Sequence, residues 1–499
     1  MSRDSADHLA SWSLAESEMS EYPKLALYID GRWCQSSSGE TAPVINPATE
    51  EVIGQLPIAT PVDLDRAVAA AASAFRDWAD RTPAARLMVM RAAADLIRKR
   101  VDPIAAVMTR EQGKDVRDAR REILLSAENV EYLAEEARRV TARLVPSAIP
   151  SVRHQAVEKI PVGPVAAFTP WNFPANLVCR KLGAALATGC TVVLKPAEET
   201  PGTAIMLAQC FFEAGLPSGV LNLVFGKPSV ISEHLIASPL IRKVSFTGSI
   251  PVGKRLAKLC ADTMKRFTAE LGGHSPVLVF ADAANDSTVR ACVATKYRNS
   301  GQVCNSPTRF LVEESAYPAF CESFARAAAN LKVGDGKNGD VDMGPLTHAR
   351  RLGAMERLVA DAVKKGARLL TGGRRIGNRG FFFEPTVLAD VPLEAAAMQE
   401  EPFGPLALLR PFRKIDDAVE AANSLPYGLA AYAFTADADK IDRLGKLLEA
   451  GMVGINHFAI VAADLPFGGL KESGWGAEQA CEGILPYLET KVVSVSKLA

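Results

Sequence analysis

Short apolar segments alternate with helical stretches from Gly163 onward, and Pro or Gly stands at many of the boundaries between them. This strand–helix alternation predicts an α/β fold with a parallel, doubly wound sheet and right-handed crossovers. A second alternating stretch covers roughly 276–456. Because ligands of such sheets bind at the carboxyl ends of the strands, the residues that follow each strand are candidates for a functional site. The predicted strands of the first stretch are Val165–Phe168, Thr191–Leu194, Val220–Val224, Lys243–Phe246 and Phe267–Leu271.

The segments that flank the first alternating stretch follow other patterns. Residues 60–138 predict helices. The first begins at Thr60-Pro61, with Pro at a first-turn position, a second begins near Pro83, and a third ends near Gly113. Residues 145–164 and 490–495 are β-like, and both could be edge strands that pair with another subunit.

Composition and charge argue against several classes of protein. A chain of 499 residues is too long for one ordinary core, so two or three domains are expected. Lys and Arg together number 57, as do Asp and Glu, and the formal net charge of zero argues against nucleic acid or an anionic membrane as the main partner. Since the sequence contains no uninterrupted apolar run of about eighteen residues, we expect no membrane-spanning helix.

Cysteine usage and the N-terminal segment indicate a cytoplasmic protein. Nine cysteines, scattered and odd in number, do not form a disulfide framework, which indicates a reducing compartment. The sequence has no Cys-x-x-Cys pair and no His-Glu-x-x-His motif, so we expect no metal site. Residues 1–22 carry several acids and no apolar h-region, which argues against a secretory signal. We expect the first twenty or so residues to be loosely ordered.

Two segments predict covalent catalysis. Cys304 ends the string Asn299-Ser-Gly-Gln-Val-Cys304, and Glu270 opens Glu-Leu-Gly-Gly-His-Ser-Pro276. A free cysteine is usually a small buried hydrophobe. A cysteine that follows Ser-Gly-Gln differs, because glycine lets backbone and substrate approach closely. A carboxylate between a strand and a Gly-Gly turn is a plausible base for a nucleophilic site.

The string Gly248-Ser-Ile-Pro-Val-Gly253-Lys254 matches most of a P-loop and follows a predicted strand. However, Arg255 stands where Ser or Thr would hold magnesium, and Pro251 removes a phosphate-cradling N–H. A glycine turn whose following helix N-terminus faces a dinucleotide phosphate is the favoured interpretation. The alternative, a P-loop phosphotransferase, predicts magnesium-dependent ATP binding.

Other polar residues near predicted strands have both a structural and a functional interpretation. Lys195 and Glu198 form either a solvated turn or a contact to an adenosine ribose. Asn172, between two prolines, is either a turn former or an oxyanion donor. His274 would be the partner of the cysteine in a thiol hydrolase or acyltransferase, which predicts no NAD binding.

Together the motifs resemble the aldehyde dehydrogenase superfamily, from about Asp30 to Val495. The resemblance implies a Rossmann-like NAD-binding domain, an α/β catalytic domain that holds the cysteine, and a small β element that pairs subunits into a homodimer or homotetramer. The implied ranges are 1–140 with 163–271, then 272–466, and 141–162 with 467–499. The motifs are Phe168-Thr-Pro-Trp-Asn-Phe-Pro174, Lys195-Pro-Ala-Glu-Glu-Thr-Pro201, Phe246-Thr-Gly-Ser249, Glu270-Leu-Gly-Gly273, Gly301-Gln-Val-Cys304, Glu401-Pro-Phe-Gly-Pro405 and Pro466-Phe-Gly-Gly-Leu-Lys-Glu-Ser-Gly474.

The resemblance also implies a mechanism and a cofactor. Cys304 attacks the aldehyde, Asn172 and the backbone N–H of Cys304 hold the oxyanion, and Glu270 activates the water that hydrolyses the thioester. The cofactor is NAD, with NADP as the alternative, and a carboxylate at Glu198 favours NAD because it accepts from the ribose 2′-OH. The implied cofactor contacts are Thr169, Pro170, Trp171, Lys195, Glu198, Gly226, Gly248, Ser249, Leu271, Glu401 and Phe403.

Within the superfamily the chain is most similar to the succinate-semialdehyde dehydrogenases. Arg180 and Arg298 match two arginines that bind the substrate carboxylate in that branch, although either could form a structural salt bridge. Val461 and Ala462 replace its usual serine pair, so glutarate semialdehyde, 2-oxoglutarate semialdehyde or an uncharged aldehyde stay alternatives to succinate semialdehyde. Ser306 replaces the second cysteine of a redox pair, so that switch should be absent.

Overall fold

The computed structural model describes residues 22–496. The expectation that the first twenty or so residues are loosely ordered lies outside the described residues. The strands are β1 Leu27–Ile29, β2 Arg32–Cys34, β3 Thr41–Ile45, β4 Val52–Pro57, β5 Arg143–Val145, β6 Val152–Pro161, β7 Val165–Phe168, β8 Val192–Lys195, β9 Leu221–Leu223, β10 Lys243–Gly248, β11 Arg266–Leu271, β12 Ser275–Val279, β13 Pro307–Glu313, β14 Arg368–Thr371, β15 Thr386–Ala389, β16 Leu406–Phe412, β17 Tyr427–Gly428, β18 Ala430–Phe434, β19 Met452–Ile455, β20 Leu470–Lys471, β21 Gly474–Trp475 and β22 Leu488–Ser496.

The α-helices between these strands account for the predicted helical segments. Their bounds are α1 Pro61–Ala79, α2 Pro83–Lys99, α3 Val101–Gln112, α4 Val116–Glu136, α5 Asn176–Ala187, α6 Pro201–Glu213, α7 Pro228–Ala237, α8 Ile250–Asp262, α9 Asp286–Tyr297, α10 Tyr317–Ala329, α11 Ala349–Lys364, α12 Ala396–Gln399, α13 Ile415–Asn423, α14 Ala438–Leu447 and α15 Ala480–Ile484.

Local sequence explains where the first three helices begin and end. Thr60 and Asp63 form a reciprocal capping box at the start of α1, and the Thr82 hydroxyl accepts from a backbone N–H at the start of α2. Gly113 closes α3 at a φ of 97°, a left-handed conformation that glycine adopts without strain. The predicted starts and the predicted end are therefore confirmed.

The first sheet is built around five parallel strands in the order β9-β8-β7-β10-β11. Antiparallel strands extend it at both sides, with β2 and β1 next to β9 and β21 next to β11. The four residues of β7 and those of β8 are all buried, as expected where helices cover both faces of a parallel sheet. The predicted α/β fold with a doubly wound sheet is confirmed.

A second sheet follows in the order β14-β15-β16-β13-β12-β18-β19. It is parallel except at its edge, where β14 pairs antiparallel with β15. The chain passes from β11 of the first sheet to β12 of the second through a short turn. The carboxyl end of β11 therefore lies next to the start of the second sheet.

The β-like segments form a third, three-stranded antiparallel sheet in the order β22-β6-β5. The expectation that residues 145–164 form an edge strand is wrong, because β22 and β5 flank β6 on both sides. The expectation for residues 490–495 holds in one respect, since β22 is an edge strand of this sheet. In the C-terminal range 467–499, β21 joins the first sheet, α15 packs against α4 and α5, and β22 joins the third sheet.

The largest core surrounds the first sheet and its helices, and smaller apolar clusters lie on the faces of the second sheet. Within residues 22–496, none of the helices has the length and apolar character needed to cross a bilayer.

Candidate active site

A cavity of about 800 Å³ opens at the carboxyl ends of β10 and β11. It brings together residues that are far apart in the sequence. The catalytic and substrate-binding candidates Asn172, Arg180, Glu270, Arg298 and Cys304 all line it. Most of the candidate cofactor contacts line it as well. These are Pro170, Trp171, Gly248, Ser249, Leu271, Glu401 and Phe403.

Four candidate cofactor residues are outside the lining of this cavity: Thr169, Lys195, Glu198 and Gly226. They lie at the same edge of the first sheet, but at or after β7, β8 and β9, which are further from β11. The N–H of Thr169 donates to the carbonyl of Lys195 at 3.2 Å, and the Lys195 ammonium pairs with the Glu198 carboxylate at 2.7 Å. A ligand that contacted these residues and Cys304 would have to extend along this edge.

The turn before Cys304 has an unusual backbone. Asn299, Ser300 and Gly301 have φ values of 50°, 56° and 68°, three consecutive left-handed residues. Non-glycine residues in this region cost roughly 1–2 kcal/mol each, so surrounding contacts must hold the turn. The Ser300 hydroxyl donates to the carbonyls of Gly344 and Pro345, at 2.8 and 3.2 Å. A Cβ at Gly301 would lie 2.1 Å from the Gly404 carbonyl oxygen, so only glycine fits there.

The surroundings of Cys304 favour the thiol over the thiolate. Burial raises its pKa well above the ordinary value, and the charge of Glu270 raises it further. The charge of Arg180 acts in the opposite direction and lowers the pKa. A thiolate at Cys304 therefore depends on the protonation state of Glu270 and on Arg180.

Asn172 lies in the loop after β7 and is 3% exposed. Its side-chain NH₂ group donates to the Gln302 carbonyl at 3.3 Å, which links the loop to the turn before Cys304. Its Oδ1 atom has no hydrogen-bond partner among the described residues. One N–H of the amide is therefore used by Gln302, and the second is available to an oxygen atom in the cavity.

Glu270 is a buried carboxylate at the end of β11. Burial raises its pKa to about 8, the charge of Glu478 raises it as well, and Arg180 lowers it. Neither carboxylate oxygen has a hydrogen-bond partner within residues 22–496. A carboxyl group with a pKa near neutrality can both accept and release a proton, which a general base requires.

Sequence reasoning missed the charged pair beside Glu270. Glu478 pairs with the buried Lys181, whose ammonium also donates to the Ser245 hydroxyl at 3.1 Å. Lys181 stands next to Arg180 in the chain, whereas Glu478 lies far away near the C-terminus. No local spacing joins the two, so their pairing could be found only in the folded chain.

The cofactor end of the cavity fits an extended anionic nucleotide. Ser249 precedes α8 and makes no side-chain cap bond, so the backbone N–H groups of Ile250 and Val252 are available to a phosphate, whereas Pro251 between them has none. The rings of Trp171 and Phe403 meet edge to face with centroids 5.5 Å apart. Glu401 accepts from the Gly273 N–H at 3.1 Å and lines the same cavity. Backbone N–H groups that can bind a phosphate, apolar rings and a carboxylate together make a binding site suited to a dinucleotide.

The two candidate substrate arginines have aromatic neighbours. The Arg180 guanidinium lies 4.3 Å from the centroid of the Phe467 ring, and its Nε has no hydrogen-bond partner in the described chain. Arg298 lies 5.8 Å from the centroid of the Phe173 ring. Val461 and Phe467 also line the cavity, so this end combines guanidinium groups with apolar walls. Such a site fits an anion carried on an apolar body.

The residues required by the two other reaction classes lie elsewhere. His274 is buried, hydrogen-bonds the Ala397 carbonyl at 2.9 Å through Nε2, and does not line the cavity. Lys254 of the P-loop-like string pairs with Glu472 on the surface. The structure therefore supports neither a Cys304–His274 pair nor a lysine that reaches a bound phosphate.

Comparison with known proteins identifies relatives over nearly the whole chain. The family model "Aldehyde dehydrogenase family" matches residues 33–493. A 4-(hydroxymethyl)benzenesulfonate dehydrogenase of Comamonas testosteroni is 44% identical over 93% of this chain and 97% of its own length. A glutarate-semialdehyde dehydrogenase of Pseudomonas putida is 42% identical over 94% and 97%. The NADP⁺-dependent succinate-semialdehyde dehydrogenase GabD of Escherichia coli is 40% identical over 94% and 97%.

Comparison with solved structures identifies the same family. The structure of an aldehyde dehydrogenase from Bacillus cereus in complex with NAD⁺ superimposes with a TM-score of 0.93 at 34% identity, covering 97% of this chain and 99% of that one. Sequence and structure agree from the first strands to the C-terminal sheet. The chain belongs to the aldehyde dehydrogenase family.

Proposed function

We propose that this enzyme oxidises an anionic aldehyde to the corresponding acid with NAD(P), through a thioester on Cys304. One observation carries the proposal: Arg180 and Arg298 are among the arginines that line the same cavity as the candidate nucleophile, oxyanion donor and base. Two of the relatives act on semialdehydes that bear a carboxylate, and one is named for a sulfonate. A short ω-oxo carboxylate is the proposed substrate class.

In the first half of the reaction the Cys304 thiol releases its proton to solvent in the cavity, and the thiolate attacks the aldehyde carbon. The carbonyl oxygen then carries a negative charge, which the free N–H of Asn172 and the backbone N–H of Cys304 stabilise. Each preorganised donor at such an oxyanion is worth roughly 3–4 kcal/mol. NAD(P), when bound, supplies the hydride acceptor that makes the oxidation to a thioester feasible. Loop 170–172 and residues 248–249 would hold the cofactor at the edge of the first sheet.

In the second half Glu270 takes a proton from water, which attacks the thioester and releases the acid. The raised pKa of Glu270, about 8, means that the resting carboxyl group is largely neutral at pH 7. At neutral pH the hydrolysis step therefore depends on the deprotonated fraction of Glu270. Splitting the oxidation into two steps replaces one high barrier with two lower ones.

Succinate semialdehyde is the first candidate and glutarate semialdehyde the second. The apolar walls at Val461 and Phe467 also admit a larger body, so an aldehyde that carries a sulfonate stays an alternative. NADH absorbance with succinate, glutarate and 2-oxoglutarate semialdehydes, 4-formylbenzenesulfonate and butanal would rank these substrates. A preference for butanal over all four anionic aldehydes would refute the anionic class.

We propose NAD as the preferred cofactor, because a carboxylate at Glu198 can accept from a ribose 2′-OH and repel a 2′-phosphate. The Lys195–Glu198 ion pair partly neutralises that carboxylate, so NADP is the alternative. A titration with NAD, NADP and Mg-ATP would separate the dehydrogenase from the hydrolase and phosphotransferase alternatives. A higher kcat/KM with NADP than with NAD would contradict the preference.

The assembly and the domain division are also proposals. The sheet β22-β6-β5 exposes Leu144 and Val492 to 76% and 64%, which supports pairing of subunits into a homodimer or homotetramer through this sheet. We propose a cofactor domain of 1–140 and 163–271, a catalytic domain of 272–466 and a bridging element of 141–162 and 467–499. All nine cysteines are free, which supports a reducing, cytoplasmic location. Sedimentation analysis would test the oligomeric state.

A further inference from the structure

Behind the loop that carries Asn172 lies a buried ion pair between Lys114 and Glu122. Both side chains are 2% exposed. Burying two charges is expensive, and replacing such a pair by apolar residues of similar volume is often neutral or stabilising. The attraction between the two charges therefore adds little stability, and the further contacts of the two groups point to another role.

The two charged groups hold the Asn172 loop at both ends. The Lys114 ammonium donates to the backbone carbonyl of Asn172 at 2.8 Å. One Glu122 oxygen accepts from the N–H groups of Ala175 and Asn176, at 2.8 and 3.1 Å, where α5 begins without a side-chain cap of its own. The other Glu122 oxygen accepts from Lys114. The ion pair therefore fixes the loop between β7 and α5 as a unit.

The same hydrogen-bond network includes the turn before Cys304. The Asn299 side-chain amide donates to the Asn172 carbonyl at 3.0 Å, and its Oδ1 accepts from Gln112 at 2.9 Å. The Gln112 Oε1 in turn accepts from the backbone N–H of Lys114 at 2.9 Å. The end of α3 thus holds both the Asn172 loop and the turn that leads to Cys304.

Lys114 lines the cavity, but its donors are already used. An ammonium group has three N–H donors. One faces Glu122, one faces the Asn172 carbonyl, and the Phe173 ring lies 4.2 Å from the Nζ atom. A substrate anion would have to displace one of these contacts. The geometry therefore favours a positioning role over substrate binding.

We propose that the Lys114–Glu122 ion pair positions the Asn172 amide as an oxyanion donor relative to Cys304. The proposal rests on the proposed function, because it assigns a role in the attack of Cys304 on the aldehyde. Removal of the pair lowers kcat and leaves the affinity for substrate and NAD nearly unchanged. A misplacement of about 1 Å at a reacting centre can cost as much as roughly 100-fold in rate.

The test replaces both charges at once, with Lys114→Met and Glu122→Leu in one protein, so that no unpaired charge is left buried. We expect a lower thermal midpoint, because the Ala175 and Asn176 N–H groups lose their acceptor, with kcat lower by about 10- to 100-fold and KM within roughly threefold. The NAD dissociation constant, followed by tryptophan fluorescence, should not change. Glu122→Gln keeps an acceptor for Ala175 and Asn176, so it serves as a milder variant with a smaller loss should the double variant fold poorly.

A matched control removes an ion pair from the same helix away from the cavity. Arg98 and Glu131 join α2 to α4 and do not line the site. Arg98→Met with Glu131→Leu should leave kcat at the wild-type value. Loss of kcat in this control equal to that in the Lys114/Glu122 variant would show a general effect on α4 and would overturn the proposal.

The decisive readout is coupling to Asn172. In an Asn172→Ala background the donor is gone, so the Lys114/Glu122 replacement should lower kcat by little more than about twofold. A full additional 10- to 100-fold loss in that background, or wild-type kcat in the Lys114/Glu122 variant alone, would overturn the proposal. Failure of the proposed function is distinguishable, because then the wild type itself would not oxidise aldehydes.

Discussion

Two buried cations line the same cavity, and their surroundings differ. The Lys114 ammonium has a protein partner for each of its donors: Glu122, the Asn172 carbonyl and the Phe173 ring. The Arg180 guanidinium stacks on Phe467 but leaves its Nε without a partner among the described residues. A buried donor without a partner costs roughly 1–3 kcal/mol, so a folded protein keeps one where a ligand completes it.

This difference distinguishes two parts of the cavity. We call the part around Asn172 and Cys304 the reacting end, and the part around Arg180, Val461 and Phe467 the recognition end. At the reacting end, hydrogen bonds fix Asn172 and the turn before Cys304 before any substrate arrives. At the recognition end, an arginine retains free hydrogen-bonding capacity in apolar surroundings. Changes at the reacting end should therefore slow every aldehyde alike, whereas changes at the recognition end should affect anionic aldehydes selectively.

The largest loss is expected from Cys304→Ser, which removes the nucleophile from the reacting end. A hydroxyl is a far weaker nucleophile than a thiolate, so steady NADH production should fall by roughly 10⁴-fold or more for charged and uncharged aldehydes alike. NAD binding and the thermal midpoint should not change. Cys481→Ser, at an exposed cysteine, is the control and should retain full activity. Near-normal turnover in the Cys304 variant would contradict the thioester mechanism.

The next largest loss is expected from Glu270→Gln. If Glu270 activates water, the variant should give a first burst of NADH and then lose about 10²- to 10⁴-fold in steady turnover. In the wild type, kcat should rise with pH through about 8, because the carboxylate form is the base and burial raises its pKa to about 8. The variant should lack this rise. Loss of the burst together with turnover would mean that Glu270 acts earlier, on Cys304.

Arg180→Gln changes the recognition end and should have a selective effect. A charge-assisted hydrogen bond contributes roughly 1.5–3 kcal/mol, so kcat/KM for succinate semialdehyde should fall about ten- to a hundredfold. Butanal should lose less, because its only loss comes from the higher pKa values of Cys304 and Glu270 once the Arg180 charge is gone. Arg413→Gln, at an exposed arginine that pairs with Glu314, is the control. Equal losses for charged and uncharged aldehydes would reassign Arg180 to a structural role.

The smallest effect is expected from Val461→Ser, which adds a hydroxyl to the recognition end. A new hydrogen bond to a carboxylate should raise kcat/KM for succinate semialdehyde by roughly three- to tenfold. Butanal should gain nothing or lose slightly, because the wall becomes more polar. A gain with butanal equal to that with the semialdehyde would show that the substitution acts on the shape of the cavity rather than on the anion.

The sequence predicted the elements and residues that depend on local patterns. The strands β7, β8, β9, β10 and β11 appear close to their predicted bounds, because buried parallel strands are short continuous apolar runs. Cys304, Glu270 and Asn172 were found because each stands in a Gly- or Pro-rich string next to a strand. The fold brings all three to one cavity.

Residues that depend on distant contacts could not be predicted in the same way. Glu122 lies on α4, and the sequence alone would place such a carboxylate on a solvated surface. Its partners are Lys114, between α3 and α4, and the start of α5. Glu478 meets Lys181 across almost the whole chain. The central position of β6 was missed because residues 143–145 form a further strand that is too short to recognise by alternation.

The most direct test is mass spectrometry of Glu270→Gln after a brief reaction with NAD and succinate semialdehyde. With hydrolysis blocked, the peptide that contains Cys304 should carry the mass of a succinyl thioester, and the other eight cysteines should be unmodified. Arg180→Gln in the same background should form the adduct more slowly. Absence of an acyl group on Cys304, or its presence on another residue, would contradict the assignment of this cavity as an active site for anionic aldehydes.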